Sequence, residues 1–264
     1  MDRFGASVRV QVEGAFVLVD PQHAAFFQDE AFTVRRTVAS LSAGPFHKPL
    51  EKPVTVSIFG TRDAFVQYSK HRYGINADKP RLWAYFIRST REIVVDGMSG
   101  IHSLTHELIH PYIAQDWAHA PAWVDEGIAS QFEAPVWGPD GQMHGVRNWR
   151  YDGLVEAMRS KDRGPQTRVD ALFGLPDTEF LGKNETTDEA KEDVQLWHYA
   201  TARYVLQWLD QFEPRAMWRF YEEYRDTRDV DPTGEQAFAR VVGRTPAEAN
   251  DAWQAWVRAG ARDR

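Results

Sequence analysis

Residues 106–110, with the sequence H-E-L-I-H, combine two histidines with a glutamate at a spacing that suits metal chemistry. Side chains four residues apart lie on one face of an α-helix, so His106 and His110 can bind a single ion. Glu107 adjoins the first histidine, where its carboxylate can reach a metal-bound water and act as a general base. Zinc lowers the pKa of such a water to about 7. The spacing therefore predicts a hydrolytic site that holds one Zn²⁺ per chain.

A second segment, residues 123–129 with the sequence W-V-D-E-G-I-A, contains a candidate third ligand. A catalytic zinc site has three protein ligands and keeps its fourth position open for water. Glu126 lies sixteen residues after His110. That distance is enough for the first helix to end and for a second helix to return alongside it.

Together, the two segments resemble the gluzincin metallopeptidases, in which a glutamate is the third zinc ligand. The second segment is similar to the W-L-N-E-G-F-A stretch of the aminopeptidase N family, and the short gap between the segments is more like the bacterial peptidase-MA-like families. The resemblance implies that His106, His110 and Glu126 bind zinc while Glu107 assists hydrolysis of a peptide or protein substrate. It also implies a zincin-like α+β fold, with a small mixed β-sheet lobe, the motif helix and a mostly helical C-terminal lobe.

Three other residues near the motif are weaker candidates for the third ligand. Asp116 stands where metzincins carry their last ligand, but Ile113 replaces the glycine that lets their chain turn. We therefore expect Asp116 and His119 to be loop residues. His102 shares the helix face with His106, and we expect it to lie near the metal without binding it. Glu126 remains the favoured ligand.

Pro111 directly follows the second histidine of the motif. A proline has no N–H to donate to the carbonyl four residues earlier, here that of Glu107, and it disfavours helical geometry at the residue before it. The sequence therefore predicts that the helix kinks or ends at His110. The two histidines would still lie on one helix face, because the turn that they share precedes the break.

A hydrolytic zinc site also needs a donor for the negative charge that develops on the carbonyl oxygen. Gluzincins commonly use a tyrosine or a histidine, and by resemblance we assign Tyr199, with His198 as the alternate. Aromatic residues near the start of a helix more often pack against neighbouring side chains, so packing is the alternative role for Tyr199 and His198.

Side chains around the second segment have other expected roles. Glu133 lies on the same helix face as Glu126, where it could orient a substrate amine, support a ligand as an outer-shell partner, or be an ordinary solvated carboxylate. Asp125 is predicted to cap the second helix, and Gly127 to ease its packing against the first. Ser130 could donate an outer-shell hydrogen bond, but receives no functional assignment.

Composition limits the other classes of function. The 264 residues are 43% hydrophobic, with ten tryptophans and fifteen phenylalanines, which is enough for a sizeable core. The net charge of −7 and the lack of a basic cluster argue against nucleic acid as a partner. No apolar run reaches the roughly twenty residues of a transmembrane helix. The chain has no cysteine, which excludes disulfides and thiolate zinc sites.

The first residues, M-D-R-F, lack the charged and apolar regions of a signal peptide. As written, the sequence agrees with a cytoplasmic protein, but it does not decide the compartment. Export is the alternative if a signal has been removed, because proteins of the resembling families are often exported. The sequence gives no indication of the oligomeric state.

The pattern of elements agrees with one catalytic domain over residues 1–264, in which 1–118 form the sheet lobe with the metal helix and 119–264 form the helical lobe. Residues 54–59 are the clearest strand, and 82–87 with 92–96 are predicted to form a hairpin. By analogy with zincins the strand 82–87 would be an edge strand beside the cleft, with Trp83 and Tyr85 lining it or packed in the core. Residues 134–150 and the acidic stretch 181–193 are predicted to be loops.

Two alternatives to an active enzyme follow from the same residues. A catalytically weak or inactive protein of this fold could still bind metal or peptide, for instance if Pro111 distorts the site. A purely structural helical domain could also carry the motif by chance. Metal content separates the last possibility from the other two.

Overall fold

The computed structural model describes residues 8–44, 46–79, 81–99 and 101–261. The chain has a small mixed sheet in its first part and a helical C-terminal region, so the predicted mixture of helix and strand is confirmed. It divides into two compact units. The first comprises Met1–Ala118 and Phe132–His144, and the second comprises His119–Gln131 and Gly145–Arg264. Among the described residues, none of the helices has the length and apolar character that a bilayer crossing requires.

The first unit is built on a five-stranded sheet. Its strands in chain order are β1 (Arg9–Glu13), β2 (Phe16–Asp20), β3 (Val54–Phe59), β4 (Ala84–Ile87) and β5 (Glu92–Asp96). Their spatial order is β1-β2-β3-β5-β4, in which β2, β3 and β5 are parallel and the two edge strands are antiparallel to their neighbours. The predicted hairpin of β4 and β5 is thus confirmed, and β4 lies at an edge of the sheet as expected.

The helices of the first unit are α1 (Phe27–Ala43), α2 (Arg62–Tyr73), α3 (Ile101–Glu107) and α4 (His110–Asp116). The Thr61 side chain is the N-cap of α2 and accepts a hydrogen bond from the Ala64 N–H at 3.3 Å. The unit also contains a short hairpin of β6 (Val136–Trp137) and β7 (Met143–His144). The sequence predicted only a loop there.

Glu30 on α1 is a buried carboxyl group, only 5% exposed, and one of its oxygens has no hydrogen-bond partner within the described part of the chain. Burial, with a smaller effect of the neighbouring Asp29 charge, raises its pKa from 4.5 to about 7. Because the folded chain holds this proton up to a higher pH than the unfolded chain does, stability falls as the pH rises from about 4.5 to about 7.

We expect Glu30→Gln to remove this pH dependence, because an amide needs no proton to stay neutral. At pH 8 the variant should be more stable than the original chain by on the order of 3 kcal/mol, and near pH 4 the two should be similar. Urea unfolding at the two pH values measures the difference. Equal stability at pH 8 would contradict the raised pKa.

The second unit consists of helices. In chain order they are α5 (Ala122–Gln131), α6 (Arg150–Arg159), α7 (Val169–Leu172), α8 (Asp177–Phe180), α9 (Asp188–Leu209), α10 (Ala216–Thr227), α11 (Glu235–Val242) and α12 (Pro246–Arg258). The helix α9 begins at Asp188, where Thr187 caps it by accepting from the Ala190 N–H at 3.1 Å. The predicted acidic loop over 181–193 is therefore too long, since its second half is the first turns of this helix.

The helix that carries the second motif segment, α5, packs closely on α9. A Cβ atom at Gly127 would lie 2.8 Å from Leu206 Cδ1 and 3.1 Å from Ala202 Cβ, so any larger residue would force α9 or its side chains to shift. Arg203, fully buried, donates to the Ser130 carbonyl at the end of α5. The close packing that the sequence assigned to Gly127 is thus made against α9 in the second unit.

The start of α5 differs from the prediction. The helix begins at Ala122, and the Ala122 N–H donates to Asp177 Oδ1 at 2.8 Å. Asp125 lies inside the first turn and is buried. The prediction that Asp125 caps this helix is therefore wrong, because Asp177, from the start of α8, is the side chain that accepts from its first amide.

Candidate metal centre

Three side chains of the motif form a compact, buried cluster in the first unit. His106, Glu107 and His110 each offer one nitrogen or oxygen donor, and these atoms lie within 4.8 Å of one another. The two imidazole rings are 4.9 Å apart between centroids, and His110 Nε2 is 3.8 Å from Glu107 Oε2. The sequence motif therefore gathers its three functional groups at one place.

The donors fit a divalent metal ion. Zinc binds imidazole nitrogen and carboxylate oxygen at about 2.0–2.2 Å, which places neighbouring ligand atoms about 3–4 Å apart. Small side-chain rotations bring donors separated by 4.8 Å or less to those distances. The nitrogen and oxygen donors also suit other divalent ions of the first transition row, so the geometry identifies a possible metal site without selecting the metal.

The motif helix is broken between the two histidines. Helix α3 ends at Glu107 and α4 begins at His110, with Leu108 and Ile109 in a turn. The Ile109 N–H bonds to the His106 carbonyl at 3.1 Å, one residue nearer than in a regular α-helix. The sequence predicted that the helix kinks or ends at His110. The interruption is confirmed, but it lies inside the shared turn and not after it.

The helix breaks before His110 because the hydrogen bond that proline removes would span the preceding turn. Pro111 cannot donate to the Glu107 carbonyl, so the missing bond lies in the turn before the proline. Proline is nevertheless well placed in the first turn of α4, where a backbone N–H would have no partner within the helix, so its absence costs nothing there. His110 therefore starts a new helix with its ring still beside that of His106.

Glu133 lies directly behind the first histidine. The carboxylate is 5% exposed, and its Oε1 atom is 3.1 Å from His106 Nδ1. A carboxylate at this position favours the tautomer that carries its proton on Nδ1, which leaves the Nε2 lone pair for a metal. Of the three roles that the sequence left open for Glu133, that of an outer-shell partner agrees with this contact.

The other candidate ligands are placed as follows. Asp116 is exposed at the last residue of α4, and His119 is also exposed. His102 lies exposed in the first turn of α3. Glu126 is half-buried on α5 and belongs to the second unit, whereas the two histidines belong to the first. Its assignment as the third ligand stays a prediction from the sequence.

His198, the alternate donor for the developing oxyanion, is a packed core residue of the second unit. Its Nδ1 atom lies 2.8 Å from the Phe180 carbonyl, and its ring stacks on that of Phe180. Burial lowers the pKa of His198 to about 4, so the ring is neutral at pH 7. The proton stays on Nδ1 to bond the carbonyl, and Nε2 is left as an acceptor that cannot donate to an oxyanion.

Tyr199, the first choice for the same role, is half-buried in α9. Its ring stacks on Phe180 at 5.4 Å, and the Arg150 guanidinium lies 5.3 Å from the ring centroid. These contacts are made by the faces of the ring and do not involve its hydroxyl. The role of the Tyr199 hydroxyl as an oxyanion donor therefore stays a prediction.

The two aromatic residues proposed to line a cleft beside β4 behave differently. Tyr85 is partly buried and packs between Phe65 and Tyr73, at 5.9 and 6.3 Å between ring centroids, which agrees with the second of its two expected places, packing in the core. Trp83 is exposed and lines a cavity of about 610 Å³ at the start of β4. The Arg62 guanidinium lies 4.7 Å from the centroid of its ring.

In comparisons with models of protein families and with curated proteins, nothing matches this chain. The likeness to gluzincins therefore depends on the two motif segments alone.

Proposed function

We propose that this protein is a zinc-dependent peptide hydrolase of gluzincin type with a zincin-like fold. The observation that supports this most directly is the buried cluster of His106, Glu107 and His110, whose donor atoms lie within 4.8 Å of one another. Burial matters because solvated histidines and carboxylates are common on any surface, whereas buried ones need a partner. The contact between His106 and Glu133 adds support, since metal-binding histidines usually have a carboxylate or carbonyl behind them.

In this proposal zinc would polarise the substrate carbonyl and lower the pKa of water when bound. Glu107 takes a proton from the attacking water and passes it to the nitrogen of the leaving amine, so the C–N bond breaks and a carboxylate and an amine form. Glu133 keeps the His106 ring oriented. Glu126 would be the third ligand, and Tyr199 would donate a hydrogen bond to the carbonyl oxygen as its charge develops.

A second candidate is a protein that binds metal or peptide without efficient catalysis. The break at Leu108 and Ile109 favours this alternative, because it lies between the proposed base and the second ligand. A displacement of about 1 Å at a catalytic group can cost a hundredfold in rate. Such a protein would contain zinc but would cleave peptides slowly.

The first test is the zinc content of the purified chain, measured by elemental mass spectrometry without added metal. We expect about one zinc per chain, and we expect His110→Ala to weaken zinc binding by more than about 100-fold, which exceeds the usual loss from an outer-shell partner. His71→Ala is the matched control, because His71 is an exposed histidine on α2. A chain that contains no metal and takes up none on titration would rule out the proposal.

Peptide-library cleavage then separates the two candidates. Cleavage that follows zinc occupancy supports the hydrolase, and a zinc-loaded chain that cleaves no peptide supports the binding protein.

A further inference from the structure

The strand β1 forms the edge of the sheet opposite β4, and its outer face carries two valine side chains that are exposed. Val10 is 41% exposed and Val12 is 63% exposed. Arg9, Gln11 and Glu13 point to the other face, towards α1. An exposed edge with β-branched residues is a template for pairing with another strand unless it is blunted by charge or covered.

The backbone groups available at this edge follow from the hairpin of β1 and β2. Glu13 pairs with Phe16 across a two-residue turn, and such a flanking pair exchanges both of its backbone hydrogen bonds. Hydrogen-bonded and non-bonded pairs alternate along an antiparallel ladder. The pairs of Gln11 with Leu18 and of Arg9 with Asp20 are therefore also hydrogen-bonded. The N–H and C=O groups of Val10 and Val12 therefore point away from β2, towards the open edge.

The sequence of β1, R-V-Q-V-E, is complementary to itself when it is paired antiparallel about Gln11. Arg9 then lies opposite Glu13 of a second copy, and Val10 lies opposite Val12. The outward groups of Val10 and Val12 meet as bonded pairs, while Gln11 faces Gln11 in a non-bonded pair. Glu13 is held as a carboxylate, because its hydrogen bonds with Arg35 lower its pKa. Opposite charges therefore face each other at both ends of the pairing, and each also has a partner in its own chain, Asp20 for Arg9 and Arg35 for Glu13.

An exposed aromatic residue, Phe32, lies beside this edge on α1. Gln28 bonds Gln11 at 3.3 Å, and Arg35 bonds Glu13 at 2.7 Å. Phe32 lies between them on the same stripe of the helix, four residues after the first and three before the second. It is 53% exposed. Its position over the middle of β1 would place it close to the two-fold axis of such a pairing.

We propose that the β1 edge is a homodimer interface, in which β1 strands of two copies pair antiparallel about Gln11 and extend the two sheets into one. We assign a second copy of this chain to the edge for two reasons. Pairing about Gln11 places Arg9 opposite Glu13, and the same register also pairs the outward backbone groups of Val10 and Val12. The interface is independent of the proposed metal centre, so its test does not depend on zinc or activity.

The lack of cysteine in the chain allows a direct test of the register. In a non-bonded antiparallel pair the Cβ atoms are about 4.5–5.5 Å apart, close to the separation in a disulfide. We expect Gln11→Cys to form a disulfide dimer under mild oxidation. Val136→Cys, at an exposed valine of β6, should stay monomeric on a denaturing gel. Dimer from both variants alike would indicate random collision and would overturn the register.

Sedimentation of the full chain over a range of concentrations measures the association itself. We expect a species of twice the chain mass. Val12→Lys should raise the dissociation constant of this dimer by about tenfold or more, since it removes the valine from both Val10–Val12 cross-strand pairs. Val136→Lys is the matched control and should have no effect. A chain that stays monomeric at about 100 μM, or a dimer that Val12→Lys leaves intact, would overturn the proposal.

Discussion

Replacing Glu107 with glutamine lowers peptide hydrolysis by about 10²–10⁴-fold and leaves the zinc content unchanged, if Glu107 is the general base of the proposed hydrolase. Glutamine keeps the size of the side chain and its hydrogen-bonding oxygen, but it cannot take a proton from the attacking water. The measurement is kcat on a cleaved peptide together with zinc per chain for both proteins. Loss of activity with zinc retained is the outcome that identifies the base.

The cluster geometry makes the zinc measurement decisive, because Glu107 could instead be a ligand. Its carboxylate lies within 4.8 Å of the histidine donors and 3.8 Å from His110 Nε2. A neutral amide is a weak ligand, so a zinc-binding Glu107 would lose metal and activity together. Asp116→Asn is the matched control, since Asp116 is an exposed carboxylate on α4. It should change neither quantity, and loss of zinc in that variant would revive Asp116 as the third ligand.

The identity of the clustered residues could be predicted from the sequence, because a spacing of four residues fixes a shared helix face whatever the rest of the chain does. The break inside the motif could be anticipated only in part. Pro111 showed which hydrogen bond would be missing, but whether a helix bends, ends or restarts depends on how its neighbours pack. The structure restarts the helix at His110 and keeps the rings together.

Contacts between residues distant in sequence were beyond prediction. Asp177 accepts from the first amide of α5, although 55 residues separate it from Ala122. Nothing in the local sequence distinguishes it from the other acidic residues. Gly127 was correctly expected to allow close packing, yet its partner is α9, because a glycine shows that something approaches but not what. Pairing of the strands was more predictable, since the short turns between β1 and β2 and between β4 and β5 leave few alternatives.

Removing the carboxylate behind His106 should weaken zinc binding without abolishing it. We expect Glu133→Ala to raise the zinc dissociation constant by about 10–100-fold, because loss of an outer-shell partner leaves the ring free to rotate and lowers the basicity of its metal-binding nitrogen. Glu133→Gln should have a smaller effect, since the amide keeps the size of the side chain and an oxygen that can accept a hydrogen bond beside His106. Competition with a chelator of known affinity measures the constant for each variant.

A purely structural role for Glu133 makes a different prediction, and Glu30 provides the comparison. Both are buried carboxyl groups of the first unit, each 5% exposed. If burial alone matters, Glu30→Gln and Glu133→Gln should change the stability of the metal-free chain and leave its zinc affinity as it was. If the 3.1 Å contact with His106 orients a ligand, only the Glu133 variants should lose zinc affinity. Equal zinc affinities in both Gln variants and in Glu133→Ala would show that His106 does not depend on Glu133 to bind metal.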